Sequence, residues 1–310
     1  MQRTYSFATP LALCGLMTAA LLAATTGCGR NTPAAAAAAP TARTEPAEKH
    51  YPLTGEVVSL NRERKTATVS HDKIEGFMPA MTMEFTLASG DLAILKPGQR
   101  IRAELVQAKN DEWRLEKIWP DDKQTNALLA AATNTLTQDT TMRGKEAYRE
   151  IGETAPDFTL LDQEGHAVSM NRFRGKYVVV NFIFTRCPIA TMCPAATMRM
   201  MALQKTAREA GFTDLELVSL SLDPEYDTPG VLKNYAAVRG IDTTNFSFLT
   251  GPDAAVRQLL AQLGVIREFA DNTIKHSLAT ILINPQGRII HRVDGSAWQV
   301  DEFTSRMKKN

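Results

Sequence analysis

The chain has 310 residues, enough for about two domains of ordinary size. Hydrophobic residues make up 44% and charged residues 22%, a composition that supports a packed core and excludes a wholly disordered protein. The formal net charge is +1, from 35 basic and 34 acidic residues. No nucleic-acid partner is therefore expected, because proteins that bind phosphate backbones normally carry a basic excess. Four cysteines are too few for a disulfide scaffold, and we expect them to serve specific chemistry.

The first 28 residues have the pattern of an export signal. Arg3 supplies a positive charge, and the uncharged stretch 10–24 is too short to span a hydrocarbon layer about 30 Å thick. Small residues then precede Cys28 and resemble the bacterial lipobox, although Thr25 stands where that pattern prefers leucine. We predict a membrane-anchored lipoprotein that is lipidated on Cys28 and faces the periplasm; a soluble periplasmic protein and an uncleaved anchor are the alternatives.

Residues 29–50 lack the apolar side chains that a core needs. A run of six alanines lies between prolines, and the positions after it are mostly small, polar or charged. This composition is typical of a tether, and we expect the segment to hold the folded part at some distance from the membrane.

Five segments typical of strands follow one another in the first predicted module, 51–119. They are separated by turn sequences, such as Lys96-Pro97-Gly98. Five short strands in so short a segment predict a small all-β barrel, of which the OB-fold is one form. The predicted strands are 51–60, 66–71, 83–87, 100–106 and 112–118.

One segment of this module carries candidate metal ligands. Met81 and Met83 are two residues apart, so on a strand both thioethers project from the same face. Together with the imidazole of His71, they form a donor set that suits a soft ion such as Cu(I) or Ag(I) better than zinc or calcium. The alternative is that these methionines only fill the core.

This segment resembles the CusF-like periplasmic copper-binding domain over almost all of 51–119. That family carries a histidine and then Trp-Pro-Ala-Met-Thr-Met, where this chain has Met78-Pro79-Ala80-Met81-Thr82-Met83. The resemblance implies that His71, Met81 and Met83 bind copper. The family's tryptophan covers the metal by a cation–π contact, and here Met78 replaces it, either as a further thioether ligand or as a hydrophobic cover.

Residues 120–150 are predicted to form a helical connector, because leucines and alanines recur there at helical spacing on a weakly apolar face. The second module, 151–310, alternates strands with helices. The continuous apolar run 177–184 is typical of a strand buried on both faces, and 278–283 with 288–293 predicts a closing hairpin. We therefore expect a multidomain chain, in which a small OB-like barrel precedes an α/β thioredoxin-like domain.

The two cysteines of the second module are separated by five residues in the loop between the first buried strand and a helix predicted over 194–210. A helix N-terminus stabilises a thiolate, so we expect lowered pKa values for Cys187 and Cys193. Thiolates serve both disulfide exchange and the binding of soft metals. A permanent disulfide is the alternative, because an exported protein meets an oxidising compartment.

The second module resembles the Sco/SenC family over nearly its full length. The resemblance implies a copper site made by Cys187, Cys193 and His276, with Asp223 as an outer-shell residue. Three residues usually separate the family's cysteines, and the five found here add Met192 as a nearby soft atom. The supporting stretches are Phe184-Thr185-Arg186-Cys187-Pro188 with Cys193-Pro194, the run from Ser221 to Pro229, Leu249-Thr250-Gly251, and Lys275-His276-Ser277 with Ile283-Asn284-Pro285-Gln286-Gly287.

The first functional hypothesis is therefore an exported copper metallochaperone. Proteins of the Sco/SenC family deliver copper to the binuclear site of cytochrome c oxidase subunit II or reduce its cysteines, so that subunit or another copper protein is the expected partner. The cargo is Cu(I), Cu(II) or both. The alternatives are a thiol–disulfide oxidoreductase with Cys187 and Cys193 as its redox thiols, a copper sequestration protein for resistance and, more weakly, a peroxiredoxin.

Overall fold

The structure, a computed structural model, describes residues 48–107, 112–144, 147–270 and 273–308. The predicted signal segment 1–28 with Cys28, and nearly all of the predicted tether 29–50, lie outside these residues. In the described ranges, no helix combines the length and the apolar character that crossing a bilayer requires.

The first module consists of five strands that hydrogen-bond in the closed cyclic order β1–β2–β3–β5–β4. The long β1 pairs with both β2 and β4, and a register shift between Val57 and Ser59 allows it to bend from one neighbour to the other. Side chains alternate between the buried and exposed faces of β1, as expected for a strand with one face in a core. The strands are β1 (Lys49–Asn61), β2 (Thr66–His71), β3 (Met81–Thr86), β4 (Arg100–Gln107) and β5 (Trp113–Pro120).

A short helix, α1 (Ser89–Ile94), lies between β3 and β4 and was not predicted. Six residues are too few to show a helical period in the sequence. Their N-cap residue, Ala88, makes no side-chain cap bond, so local signals are weak as well.

The connector forms one long helix, α2 (Lys123–Arg143), in agreement with the predicted element. Asp122 caps it by accepting a hydrogen bond from the Thr125 amide at 2.7 Å. The buried Leu136 belongs to the core of the second module, and the Gln262 side-chain amide donates to its carbonyl oxygen at 3.3 Å. The helix is therefore tied to the second module more firmly than its weak apolar face indicates.

The second module is built on a five-stranded sheet in the order β10–β9–β8–β13–β14, with β8, β9 and β10 parallel and β13 antiparallel to β8. Every residue of β8 and β9 is buried, which confirms the prediction of a strand covered on both faces. The sheet strands are β8 (Tyr177–Ile183), β9 (Leu215–Ser221), β10 (Phe246–Leu249), β13 (Ala279–Ile283) and β14 (Ile289–Asp294).

Helices cover this sheet on both sides and complete the thioredoxin-like fold. Right-handed crossovers place α3 and α4 on the same face. On the other face, Leu259 of α5 lines a small cavity together with Val180 and Val218 of the sheet. The helices are α3 (Cys193–Glu209), α4 (Pro229–Val238), α5 (Asp253–Gln262) and α6 (Val300–Thr304).

Two short hairpins lie outside the main sheet, and the second of them was not predicted. They consist of β6 (Thr159–Leu161) with β7 (Ala167–Ser169) and β11 (Arg267–Ala270) with β12 (Thr273–His276). Strands of three or four residues are too short for a period of two to be visible. The second hairpin matters for function, because it carries His276 at its end.

We predict that Leu136→Ala lowers the free energy of unfolding by about 2–5 kcal/mol, because it leaves a cavity where α2 meets the core. Leu136 is 3% exposed. The measurement is urea denaturation of the full chain.

The matched control for this change is Leu128→Ala on the same helix, where the leucine is 58% exposed. It should shift stability by no more than about 0.5 kcal/mol. Equal losses in the two variants would contradict the described packing of α2.

Candidate metal centres

The cysteine loop lies between the end of β8 and the start of α3. Cys193 is the first residue of α3, and Pro194 follows it, where the ring's fixed φ suits a first helical turn. Cys187 lies earlier in the loop and is partly exposed, whereas Cys193 is 1% exposed. Both cysteines are free thiols. The structure therefore presents a dithiol with one accessible and one buried member.

A buried carboxyl group holds the start of this loop. Asp227 accepts hydrogen bonds from the Thr185 amide at 3.2 Å, from the Thr185 hydroxyl group, and from the Ser221 hydroxyl group at 2.6 Å. Burial raises the pKa of Asp227 to about 6. Thr185 is two residues before Cys187, so these bonds fix the backbone from which the first thiol projects.

His276 approaches the dithiol from the β11–β12 hairpin. Its Nε2 atom lies 3.8 Å from the Cys193 sulfur, and its ring packs edge-on against Phe184 with ring centroids 5.6 Å apart. The His276 Nδ1 atom is 3.0 Å from the Ser277 carbonyl oxygen. A carbonyl oxygen can only accept, so Nδ1 carries the proton and the neutral ring presents the Nε2 lone pair to the cysteine.

Burial controls protonation at this site. It lowers the pKa of His276, which favours the neutral imidazole needed for metal ligation. It also raises the pKa of the Cys193 thiol to about 12, and the nearby Cys187 thiol adds to the rise. The prediction that the helix N-terminus lowers this pKa is therefore wrong for Cys193 in the metal-free protein, because desolvation outweighs the helix dipole.

Asp223, the predicted outer-shell residue, is held by an arginine that the sequence analysis missed. Arg186 donates to one Asp223 oxygen from Nη2 at 2.6 Å and from Nε at 3.2 Å, and its guanidinium carbon lies 4.1 Å from the centroid of the Tyr226 ring. Arg186, Asp223 and Phe184 line a cavity of about 390 Å³. Its position directly before Cys187 in the chain was the sequence feature that could have indicated a role for Arg186 at this site.

The three predicted ligands of this module are close but do not form an assembled site. Cys193 and His276 are in contact, whereas the Cys187 sulfur lies 3.9 Å from the Ile189 carbonyl oxygen. Within the described ranges, no three His, Cys, Asp or Glu side chains stand where they could hold one metal ion. Binding an ion through all three groups therefore requires these side chains to rearrange.

In the barrel, His71 and Met81 face each other across the β2–β3 ladder, and Val69 and Met83 form the neighbouring pair. The His71 ring is buried, and its Nδ1 atom donates to the Asp72 carbonyl oxygen at 2.8 Å. Its Nε2 atom is also buried and has no hydrogen-bond partner among the described residues. A buried lone pair of this kind normally finds a partner, and a metal ion would supply one.

Met78 lies in a small turn beside this pair. Its amide donates to the Ile74 carbonyl oxygen at 3.1 Å, and its side chain packs on the barrel core. The preceding residue, Phe77, stacks on Tyr51 at a centroid distance of 3.8 Å and is 5.7 Å from Trp113. The sequence analysis missed this aromatic cluster, because its members come from three separate segments.

Comparison with known proteins finds two families in this chain. Residues 146–310, more than half of the chain, match the family model described as SCO1/SenC. Residues 50–120 match the model described as copper binding periplasmic protein CusF.

Individual relatives match the second module. The SCO1 protein homolog of Bacillus subtilis is 31% identical over 156 residues, which are 49% of this chain and 79% of the relative. The human mitochondrial protein SCO2 homolog is 28% identical over 46% of this chain, and the match spans 54% of its length. A solved structure of BsSco, described as a member of the Sco family of cytochrome c oxidase assembly proteins, is 27% identical, with a TM-score of 0.45 over 51% of this chain and 94% of that one.

In metal-free, reduced protein at pH 8, we predict that iodoacetamide alkylates Cys187 well before Cys193. A pKa near 12 leaves about one Cys193 in ten thousand as thiolate at pH 8, and its side chain is buried. Peptide mass spectrometry of the full chain measures both rates.

The Cys187→Ser variant isolates Cys193 and is the control. Between pH 7 and 9 its labelling rate should rise about tenfold per unit, since the thiolate fraction does so below the pKa. Faster labelling of Cys193 than of Cys187 would refute the described burial.

Proposed function

The chain belongs to the SCO1/SenC family, and on that premise we propose that it is an exported copper chaperone with one copper site in each module. The match of residues 50–120 to a copper-binding family supports a copper site in the barrel. Copper is the cargo of both sites, and the donor atoms are sulfur and imidazole nitrogen, which suit Cu(I).

The contact between Cys193 and His276 is the observation that carries the proposal for the second module. A thiol and an imidazole lone pair 3.8 Å apart can both turn to one ion, and the partly exposed Cys187 supplies the third donor. Copper displaces the proton of a coordinating thiol, so the high pKa of Cys193 makes binding depend on proton release rather than preventing it. Asp223 supports the site from outside through its ion pair with Arg186.

In the barrel, the unpartnered Nε2 of His71 is the corresponding observation. We propose that His71, Met81 and Met83 hold one ion there. Met81 is half exposed, so an ion bound to it stays accessible for transfer. Phe77 and Met78 pack on the barrel core in the segment between His71 and Met81, and we propose that they cover the site in place of the tryptophan of the related family. The cyclic strand order, with β3 and β5 parallel, supports an OB-type barrel.

We further propose that the acceptor is the binuclear copper site of cytochrome c oxidase subunit II, and that the chain works at the outer face of a membrane. The family membership supports the first statement. The apolar segment before Cys28 supports export as a lipoprotein, with a tether over 29–50 and modules over 51–119 and 151–310 joined by the connector 120–150.

We predict that the reduced full chain binds two Cu(I) ions, and that His71→Ala and Cys193→Ser each remove one of them. Loss of a ligand should weaken the affected site by about 100-fold or more, while the other site keeps its ion. Competition titration against a Cu(I) chelator, with X-ray absorption to identify sulfur ligands, measures both effects.

An exposed histidine and an exposed methionine, both residue types that can bind Cu(I), serve as controls for this titration. His166→Ala changes a histidine whose side chain is 67% exposed, and Met142→Leu changes a methionine that is 79% exposed. Both variants should keep two ions. Retention of both ions in His71→Ala would remove the barrel from the proposal.

Thiol–disulfide exchange is the second candidate function, favoured by the two free thiols in one loop. In that reaction Cys187 and Cys193 become a disulfide, and their two electrons and two protons pass to a disulfide of the partner. The more exposed Cys187 attacks first. This chemistry has no need of His276 as a metal ligand.

His276→Ala distinguishes the two functions. We predict that it abolishes transfer of copper to a purified subunit II domain, measured as copper content of the separated acceptor, because one ligand is lost. Its ability to reduce the acceptor's disulfide should change little. Undiminished copper transfer by this variant would contradict the chaperone mechanism, and Asn284→Ala, in the β13–β14 turn, is the control.

A further inference from the structure

Helix α1 of the barrel lies against the first turn of α4 in the second module with very close backbone approach. A Cβ atom added to Gly90 would lie 1.9 Å from the Gly230 carbonyl oxygen and 2.9 Å from the Asn234 Cβ atom. A Cβ atom added to Gly230 would lie 2.0 Å from Asp91 Oδ1. Only glycine fits at either position.

Neither glycine is needed for its backbone conformation, since both have ordinary φ angles. In α4, alanine would favour the helix more than Gly230 does. The absence of a side chain at both positions is therefore explained by the contact between the modules and not by local structure.

Asp91 completes the contact. It is 4% exposed, and its Oδ1 atom faces Gly230 without a hydrogen-bond partner in the part of the chain that the structure describes. Burial raises the pKa of Asp91 to about 7.

A second contact continues the interface. Pro120 ends β5 of the barrel, and its ring lies 3.0 Å from the point where a Cβ atom on Gly165 would be. The neighbouring Glu164 forms an ion pair with Lys233 of α4. The barrel thus contacts α4 and also the turn at Gly165, which the ion pair between Glu164 and Lys233 joins to α4. Residues Ala47–Asn310 form one compact unit.

The start of α4 is in turn connected to the cysteine loop. Thr228 caps the helix, and its hydroxyl oxygen accepts from the Val231 amide at 3.5 Å. The preceding residue is Asp227, which holds both the amide and the hydroxyl group of Thr185. Three consecutive contacts therefore lead from α1 to the backbone two residues before Cys187.

We propose that α1 is a docking element that joins the barrel rigidly to α4, so that the barrel supports the loop carrying Cys187 and Cys193. The surface it fits is the first turn of α4, made accessible by Gly230. This inference concerns the apoprotein and does not depend on copper binding at either site.

The test is hydrogen–deuterium exchange of the full chain, read on peptides covering α1 and the first turn of α4, together with the alkylation rate of Cys187. In Gly230→Ala we expect faster exchange on both sides of the interface, because the added methyl group collides with Asp91. The Cys187 rate should change by about 2- to 30-fold, the range found when a coupling contact is removed.

Ala93→Ser and Val238→Ala are the matched controls, since both alter exposed positions of the same two helices. They should leave the exchange of both peptides and the Cys187 rate unchanged. Gly90→Ala disturbs the same contact from the barrel side, and it takes the place of Gly230→Ala if that variant does not fold.

A compensating variant tests whether the contact is direct. Asp91→Ala removes Oδ1 and Cγ, the atoms 2.0 and 2.7 Å from the added Cβ atom, so combining it with Gly230→Ala should recover part of the protection of α1. No recovery relative to Gly230→Ala overturns the direct contact. If Gly230→Ala speeds hydrogen exchange in α4 but not in α1, the docking of α1 on α4 is wrong. If exchange in α1 becomes faster but the Cys187 alkylation rate does not change, the barrel does not support the cysteine loop.

Discussion

One hydrogen bond recurs at both candidate metal centres, and the chemistry of each depends on it. His71 and His276 each donate from Nδ1 to the carbonyl oxygen of the next residue, at 2.8 and 3.0 Å. The bond selects the tautomer in which Nε2 carries the lone pair. In the barrel this lone pair is buried and has no partner within the described part of the chain, and in the second module it faces the Cys193 sulfur. Two unrelated folds thus orient an imidazole by the same local hydrogen bond, next to Cys193 in one module and opposite Met81 in the other.

The two modules differ in how their sulfur atoms are presented. Met81 lies opposite His71 in the β2–β3 ladder, Met83 lies opposite Val69, and both are neutral thioether donors that carry no proton to release. Cys193 is buried and protonated, and Cys187 stands on a loop fixed at its start by Asp227. Under the proposed function, metal capture at the second site is therefore coupled to deprotonation of Cys193, and capture by the thioethers of the barrel is not.

Several features were predictable because their causes are local. Period-two alternation and the unbroken apolar run of β8 come from which faces a strand buries. The five barrel strands and β8, β13 and β14 were therefore predicted with small errors at their ends, whereas β10 was not predicted. The short hairpin that carries His276 and the helix α1 were missed, since four to six residues do not display a period. The pKa shift of the Cys193 thiol was predicted in the wrong direction, because a helix N-terminus can be located in the sequence whereas the burial of a side chain cannot.

The sequence by itself determined which atoms are available: two thiols in one loop, two thioethers on one strand face, and a histidine for each, because ligand chemistry belongs to the residue type. Only the tertiary structure decided which of them meet. It brings His276 to Cys193 across 83 positions of chain, pairs Asp223 with Arg186, and sets Gly90 against Gly230. These contacts join segments far apart in sequence, and their geometry follows from how the sheet, the hairpin and the helices pack.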